Sequence, residues 1–444
     1  MAHSSAPKRF GMENDMQLVY GIDICQDVTQ ISTIRQAGKE PEELFFDINT
    51  QEKLLPTVLY LGNDEKWYIC EEAYAKAKAE QGAVLKNFFG QVFSEKEIIY
   101  QGSVYSSVFL LECYVVELIK RLEEIARGER PQHIVITCQE LNQDEIAVQK
   151  FKHVLEAAGL AEFCEVRSHL ESFVSYMVHQ GEALWKNGAA AFEYGTSGIF
   201  FYYINTCFGR DKKQLIADYA KYTDLLFVGL PPTEPEEAKK AAFSFGQQAG
   251  LWMNRRQAVS LFITGRGFNG NFAMEQIQAV STNRRLFKGQ NLYTQGACYM
   301  AYESIKGRTA LLPKVYMPMQ IVTDITLKIE QDGKEEGLIL ATAGESYPDI
   351  KRSFDVIVKG EPEFCFAIKR VGLEPYHIML GLPVKEKQIQ INRYQVRLFF
   401  LHRDRCVLQI KDMGFGMFQP TTYRIYEKIL DLSKLERKTI IWEA

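Results

Sequence analysis

The chain has 444 residues, 46% hydrophobic and 24% charged, a globular balance with room for roughly two to three domains. Fifty-two Lys and Arg against fifty-six Asp and Glu leave a net charge of −4, which excludes a general electrostatic pull toward nucleic acid. No apolar run reaches the length of about 18 residues that a membrane span needs, and the first residues lack a signal-peptide core, so a cytoplasmic protein without membrane contact is expected.

Residues 1–17 read as a disordered tail. Val19-Tyr20-Gly21-Ile22-Asp23-Ile24 is then an apolar strand carrying one carboxylate, followed by a tight turn and a return strand with period-2 alternation. An Asp inside an apolar strand costs several kcal/mol unless it is paired or ligated, so Asp23 is either functional or placed at an exposed hairpin end. Leu44-Phe45-Phe46, Leu54 to Tyr60 and Trp67 to Cys70 read as further strands, Pro56 marking an edge or a strand start, and Glu71 to Glu80 as an Ala-rich helix. Lys86 then stands alone before Phe88-Phe89-Gly90.

Residues 106–127 form the clearest helix: Val108, Leu111, Val115, Leu118, Leu122 and Ile125 recur at three- and four-residue spacing before Gly128. A strand at His133 to Cys138, a helix at Asp144 to Ala158, a strand at Glu165 to Ser168 and a helix at Leu170 to His179 continue an α/β alternation. Ala189 to Ile204 repeats the opening unit, with Glu193 near the end of an apolar strand, a Gly/Thr/Ser turn and an apolar return. A unit repeated after about 170 residues points to two related halves. Helices at Pro235 to Gln248, Phe272 to Val280 and Asn291 to Ser304 surround the strand Val259 to Ile263, and Gly296-Ala297 permits close packing within the last helix.

From about residue 313 the texture changes to short β runs, the clearest being the hairpin Gln395 to Leu401 and Cys406 to Lys411 around His402-Arg403-Asp404-Arg405. Residues 313–444 are expected to form an antiparallel β sandwich or barrel, closed by a short helix within Thr421 to Ser433. The nine cysteines are scattered without a C-x-x-C pair and the seven histidines without H-x-x-x-H spacing. Free thiols in a reducing compartment, and no His- or Cys-based metal site, are the expectation.

In order along the chain, several segments resemble the actin-like ATPase superfamily, nearest in layout to the nucleotide-binding domain of heat-shock-70 chaperones. Gly21-Ile22-Asp23-Ile24 resembles its first phosphate loop, Leu55-Pro56-Thr57-Val58 the next edge strand, and Ile69-Cys70-Glu71-Glu72-Ala73 its I-G-x-x-A. Lys86-Asn87-Phe88-Phe89-Gly90 resembles K-R-L-I-G, and Ala157-Ala158-Gly159-Leu160 its A-x-x-A-G-L helix. Phe192 to Gly198 resembles the second phosphate loop, Ile263 to Phe268 the adenosine loop, and Gln295-Gly296-Ala297 the closing A-x-G-A. The resemblance covers residues 18 to about 308 and implies two ribonuclease-H-like halves around a cleft over 18–312, followed by the all-β domain at 313–444. It also implies ATP or ADP with magnesium as cofactor. Asp23 would be the metal ligand, and Lys86 and Glu193 the catalytic groups. Gly195, Thr196, Ser197, Gly265 and Gly267 would be the remaining cofactor contacts, although the glycines serve equally as turn residues.

The departures run against catalysis. The family's Gly-Thr-Thr wrap is Cys25-Gln26-Asp27 here, which adds side chains and a negative charge where phosphate must approach. Glu193 replaces an Asp and moves the carboxylate by about 1.5 Å. Ser168-His169-Leu170-Glu171 places Ser168 where the family has its water-orienting acid. Phosphoryl transfer depends almost wholly on positioning and charge neutralisation. The expectation is therefore a non-catalytic binding or scaffolding protein with weak or absent nucleotide binding and an unidentified protein or peptide partner. The alternative is an active ATPase with a peptide-binding β domain, in which Lys86→Ala would abolish hydrolysis.

Overall fold

A computed structural model describes residues 16–36, 40–46, 53–94, 96–142, 145–208, 213–223, 230–254, 256–307, 312–383, 391–417, 419–434 and 438–441. The expected N-terminal tail lies outside these up to residue 15. The opening apolar run forms β1 (Met16–Ile24), and beyond the turn Cys25–Asp27 the chain returns antiparallel as β2 (Val28–Gln36), with Asp23 opposite Gln30. Short elements follow: β3 (Glu42–Glu43), β4 (Leu55–Pro56), the hairpin of β5 (Leu59–Leu61) and β6 (Trp67–Ile69), helices α1 (Cys70–Ala79) and α2 (Phe89–Val92), and the hairpin of β7 (Glu97–Tyr100) and β8 (Ser103–Ser106). The strand expected at Leu44-Phe45-Phe46 is displaced to β3, where Glu42 and Glu43 pair with Thr33 and Ser32.

Helix α3 (Ser107–Ile125) buries Leu111, Val115, Leu118 and Leu122 on one face, and Gly128 beyond it takes φ +84°, a conformation that glycine adopts without steric cost. The alternation continues through β9 (His133–Cys138), α4 (Glu145–Ala157), β10 (Cys164–Ser168) and α5 (His169–His179). Strands β9 and β10 join β1 in parallel, giving the order β10-β9-β1-β2-β3. Ile134 to Cys138 are all buried, as a parallel strand covered on both faces requires.

A second round repeats this plan with β11 (Ala189–Gly195), β12 (Gly198–Phe208), β13 (Lys213–Tyr222), α6 (Pro235–Met253), β14 (Ser260–Thr264), α7 (Met274–Ser281), β15 (Arg285–Lys288) and α8 (Leu292–Lys306). Its order β15-β14-β11-β12 matches β10-β9-β1-β2: a hairpin, then two strands parallel to its first arm. Helix α8 closes against both β1 and α5. A Cβ on Gly21 would lie 2.1 Å from the Thr294 carbonyl oxygen, and one on Gly296 would lie 1.9 Å from that of Ser172. Only hydrogen fits at either contact.

The chain divides into two compact units, one of residues up to Tyr202 with Ala220–Leu312, the other of Tyr203–Tyr219 with residues from Pro313 onward. Within the expected span 18–312, the ribbon Tyr203–Tyr219 groups with the residues from Pro313 onward. Within the second unit β13 pairs in parallel with β16 (Lys314–Tyr316), and Arg403 donates a hydrogen bond to the Ala217 carbonyl at 3.0 Å. Then come β17 (Thr323–Gln331), β18 (Lys334–Ala341), β19 (Lys351–Lys359), β20 (Glu363–Arg370), β21 (Tyr376–Gly381), β22 (Ile391–His402), β23 (Arg405–Asp412), β24 (Ile425–Asp431) and β25 (Lys438–Ile441). The sheets β18-β17-β20-β21-β25 and β19-β22-β23-β24 enclose one core, including Ile325, Phe366, Ile378, Val396, Leu408 and Leu430. Each such side chain contributes roughly 1.5–3 kcal/mol by leaving water.

The closing helix expected within Thr421–Ser433 is a strand instead. Residues Ile425 to Asp431 pair one by one with β23, and Leu430 is buried in the core. Backbone pairing to an open sheet edge outweighs local helix preference here. All nine cysteines are free, and no helix among the described residues is long and apolar enough to cross a membrane.

Candidate functional site

Both hairpins deliver a carboxylate to one place. Asp23 near the end of β1 and Glu193 near the end of β11 are each 4% exposed, and His169, fully buried, lies between them. His169 is the first residue of α5, whose start is fixed by a capping box. The Ser168 hydroxyl accepts from the Glu171 N–H, and the Glu171 carboxylate accepts from the Ser168 N–H. Ser168, standing where the resemblance puts an acid, is therefore a helix cap, and the next side chain points into the cleft.

The His169 Nδ1 lies 2.9 Å from Glu193 Oε1, and Nε2 lies 2.8 Å from Asp23 Oδ1, both at hydrogen-bond distance. An ionised carboxylate only accepts, so the two bonds together require a proton on both ring nitrogens. Glu193 also accepts from the Tyr202 and Tyr293 hydroxyls at 2.7 and 3.1 Å, and the Tyr293 ring stacks on the imidazole at 3.8 Å. Tyr202 is held in turn by the Asn142 amide at 2.9 Å. Burial by itself pushes the imidazole pKa down, but the Glu193 and Asp23 charges and their hydrogen bonds carry it up to about 10. Burial also works against the Glu193 carboxylate, yet the His169 charge and the three donors hold it below the ordinary glutamate value. The N-terminus of α5 disfavours a cation, so the carboxylates and not the helix dipole stabilise this charge.

The space left is small. The cavity beside the cluster, lined among others by Cys25, Gln139, Glu140, Thr196 and Gly265, measures about 40 Å³. That admits roughly two or three water molecules, whereas small-molecule pockets run to about 300–1,000 Å³. Gln139 Nε2 and Glu140 Oε2 are buried there without a hydrogen-bond partner among the described residues. Burial pushes the Glu140 carboxyl up. Asp27 of the first turn forms an ion pair with Arg266, which follows β14. This half-exposed link adds at most about 1 kcal/mol.

Of the sequence-based candidates, Asp23, Glu193, Gly195, Thr196 and Gly265 line this cavity. Gly265 takes φ +89°, and a Cβ on it would lie 2.5 Å from the Tyr194 carbonyl. Ser197 is not among the lining residues but donates to Glu140 at 3.2 Å. Gly267 is also not among them; its missing Cβ makes room for the Tyr194 ring, 2.2 Å from where that atom would be. Lys86 is exposed and not among them either, its ammonium lying 5.4 Å from the centre of the Tyr74 ring. His169, Tyr202 and Tyr293 are not among the sequence-based candidates.

Asp23, Cys25 and His169 offer ligand atoms within 4.8 Å of one another. A cation bound at Nε2 would have to displace any proton there and break the hydrogen bond to Asp23. Burial and the Asp23 charge hold the Cys25 thiol well above its usual range. Two of the three groups, Asp23 and His169, are thus already bonded to one another.

A family model described as family of unknown function (DUF5716) C-terminal matches residues 40–317, and one described as domain of unknown function (DUF8552) matches residues 320–432. The first match begins after the β1–β2 hairpin, so it contains His169 and Glu193 but not Asp23. No curated protein matches the chain.

Proposed function

The chain belongs to the DUF5716 C-terminal family, whose description assigns no chemistry, and from that premise we propose a non-catalytic binding or scaffolding protein built on an actin/heat-shock-70-type frame. The nucleotide site of that frame is closed, and the partner is another protein or a peptide. The shared strand order of the two halves supports the frame, since each half presents a hairpin carboxylate to a common cleft. The observation that carries the loss of nucleotide is the His169 bridge. In an ATPase of this kind the two carboxylates serve a hydrated divalent cation that neutralises phosphate. Here an imidazolium from the protein satisfies both, Tyr202 and Tyr293 occupy the remaining Glu193 oxygen, and about 40 Å³ is left beside them.

Magnesium dehydrates reluctantly and prefers octahedral oxygen ligands, so it competes poorly for acids already held by a buried cation. Phosphate would in addition have to compete with Asp27 for Arg266, its ion-pair partner at the first turn. Isothermal titration of Mg-ATP into the chain is expected to show no saturable binding up to millimolar nucleotide. Micromolar affinity with hydrolysis above the uncatalysed rate would overturn the proposal and return the cleft to the active-ATPase reading.

A further inference from the structure

The second unit holds a larger cavity, of about 810 Å³, against a β-rich wall built from β16, β17, β20 and the β20–β21 turn. That size is in the range of pockets that bury an organic ligand. Two of its cations are unengaged by acids: Lys369 is exposed without an ion pair among the described residues, and the Lys314 ammonium lies 4.7 Å from the centre of the Tyr316 ring while donating weakly to the Ala343 carbonyl. Arg370 is a third, paired through one nitrogen with Asp404. Against them stand two lining acids. Asp324 is turned into the wall by the Ala343 N–H at 2.7 Å, and Glu374 lies on the exposed turn. Apolar surface completes the mouth, with Phe208 65% and Leu373 62% exposed.

Unspent positive charge beside exposed aromatic and aliphatic surface is the complement of an anion carrying an apolar body. We propose that this cavity binds an organic anion, a carboxylate or phosphate ester on an aromatic or aliphatic group, with Lys314 and Lys369 taking the charge and Phe208, Tyr316 and Leu373 the apolar part. The site is independent of the reading of the cleft, since no residue is shared between them.

Calorimetric titration of the full-length chain with phenyl phosphate, benzoate and benzyl alcohol tests it. One saturable site for either anion is expected, weakened at least about tenfold in the Lys314→Glu/Lys369→Glu variant at unchanged melting temperature. The tighter of the two anions assigns the phosphate or the carboxylate class. Absence of binding by both anions, equal binding of benzyl alcohol, or full affinity in the folded double variant would overturn it.

Discussion

Replacing His169 with leucine is expected to destabilise the protein by about 3–5 kcal/mol, the cost of removing one partner from a buried ion cluster. Leucine has a comparable volume, so the loss is not chiefly a cavity effect. It arises because Asp23 and Glu193, each 4% exposed, would face one another without a counter-charge. Adding Asp23→Asn and Glu193→Gln to His169→Leu removes the stranded charge and should recover much of the loss, since neutral packing often matches a buried ion pair. Urea denaturation of the single and triple variants checks this. A His169→Leu protein within about 1 kcal/mol of wild type would show that the bridge carries little stability.

The same bridge sets a pH dependence whose sign follows from the direction of its shift. The folded imidazole holds its proton up to about pH 10, while an unfolded histidine releases it near pH 6.5. Its contribution is therefore complete below about pH 6.5 and is lost as pH rises toward 10, at up to about 1.4 kcal/mol per pH unit. The slope should be absent in His169→Leu.

Gly296→Ala is expected to cost more than about 3 kcal/mol, against a helix-propensity gain of about 1 kcal/mol for the same change in an unconstrained helix. The clash decides the sign. The new Cβ would meet the Ser172 carbonyl oxygen at 1.9 Å and its carbon at 2.6 Å, both backbone atoms of α5 that cannot rotate away. Relief requires α5 and α8 to separate, and those helices carry His169 and Tyr293, so the cluster should loosen along with the packing. Thermal unfolding reads the first effect and the His169 ring resonances the second. A variant more stable than wild type would mean that α5 and α8 are not in backbone contact.

Much of the frame was legible because its signals are periodic. The β1 and β11 hairpins announce themselves by alternation with one acid in an apolar strand, and α3 by three- and four-residue spacing. The repeat of those units pointed to two related halves, and the placement of Asp23 and Glu193 in one cleft was what the family resemblance implied. His169 was not legible for a specific reason: the position next to it, Ser168, was matched to an acid, and a lone histidine at the start of an apolar helix carries no charge signal of its own. The Ser168-x-x-Glu171 capping box was the available clue, since it fixes the helix start and hence which side chain turns inward. Two other departures have the same root. The Tyr203–Tyr219 ribbon groups with the second unit through a strand about a hundred residues further on, and Ile425–Asp431 is a strand because it pairs with the edge of the strand before it; in both, the partner strand and not the segment's own pattern decides.

The most direct test of the closed cleft is nitrogen-15 NMR of the His169 ring at pH 8. Protonation of both ring nitrogens, persisting until the pH approaches 10, is the result expected if the imidazolium bridges Asp23 and Glu193 in place of a metal ion. A neutral ring at pH 8, or titration near the ordinary histidine value of about 6.5, would contradict it.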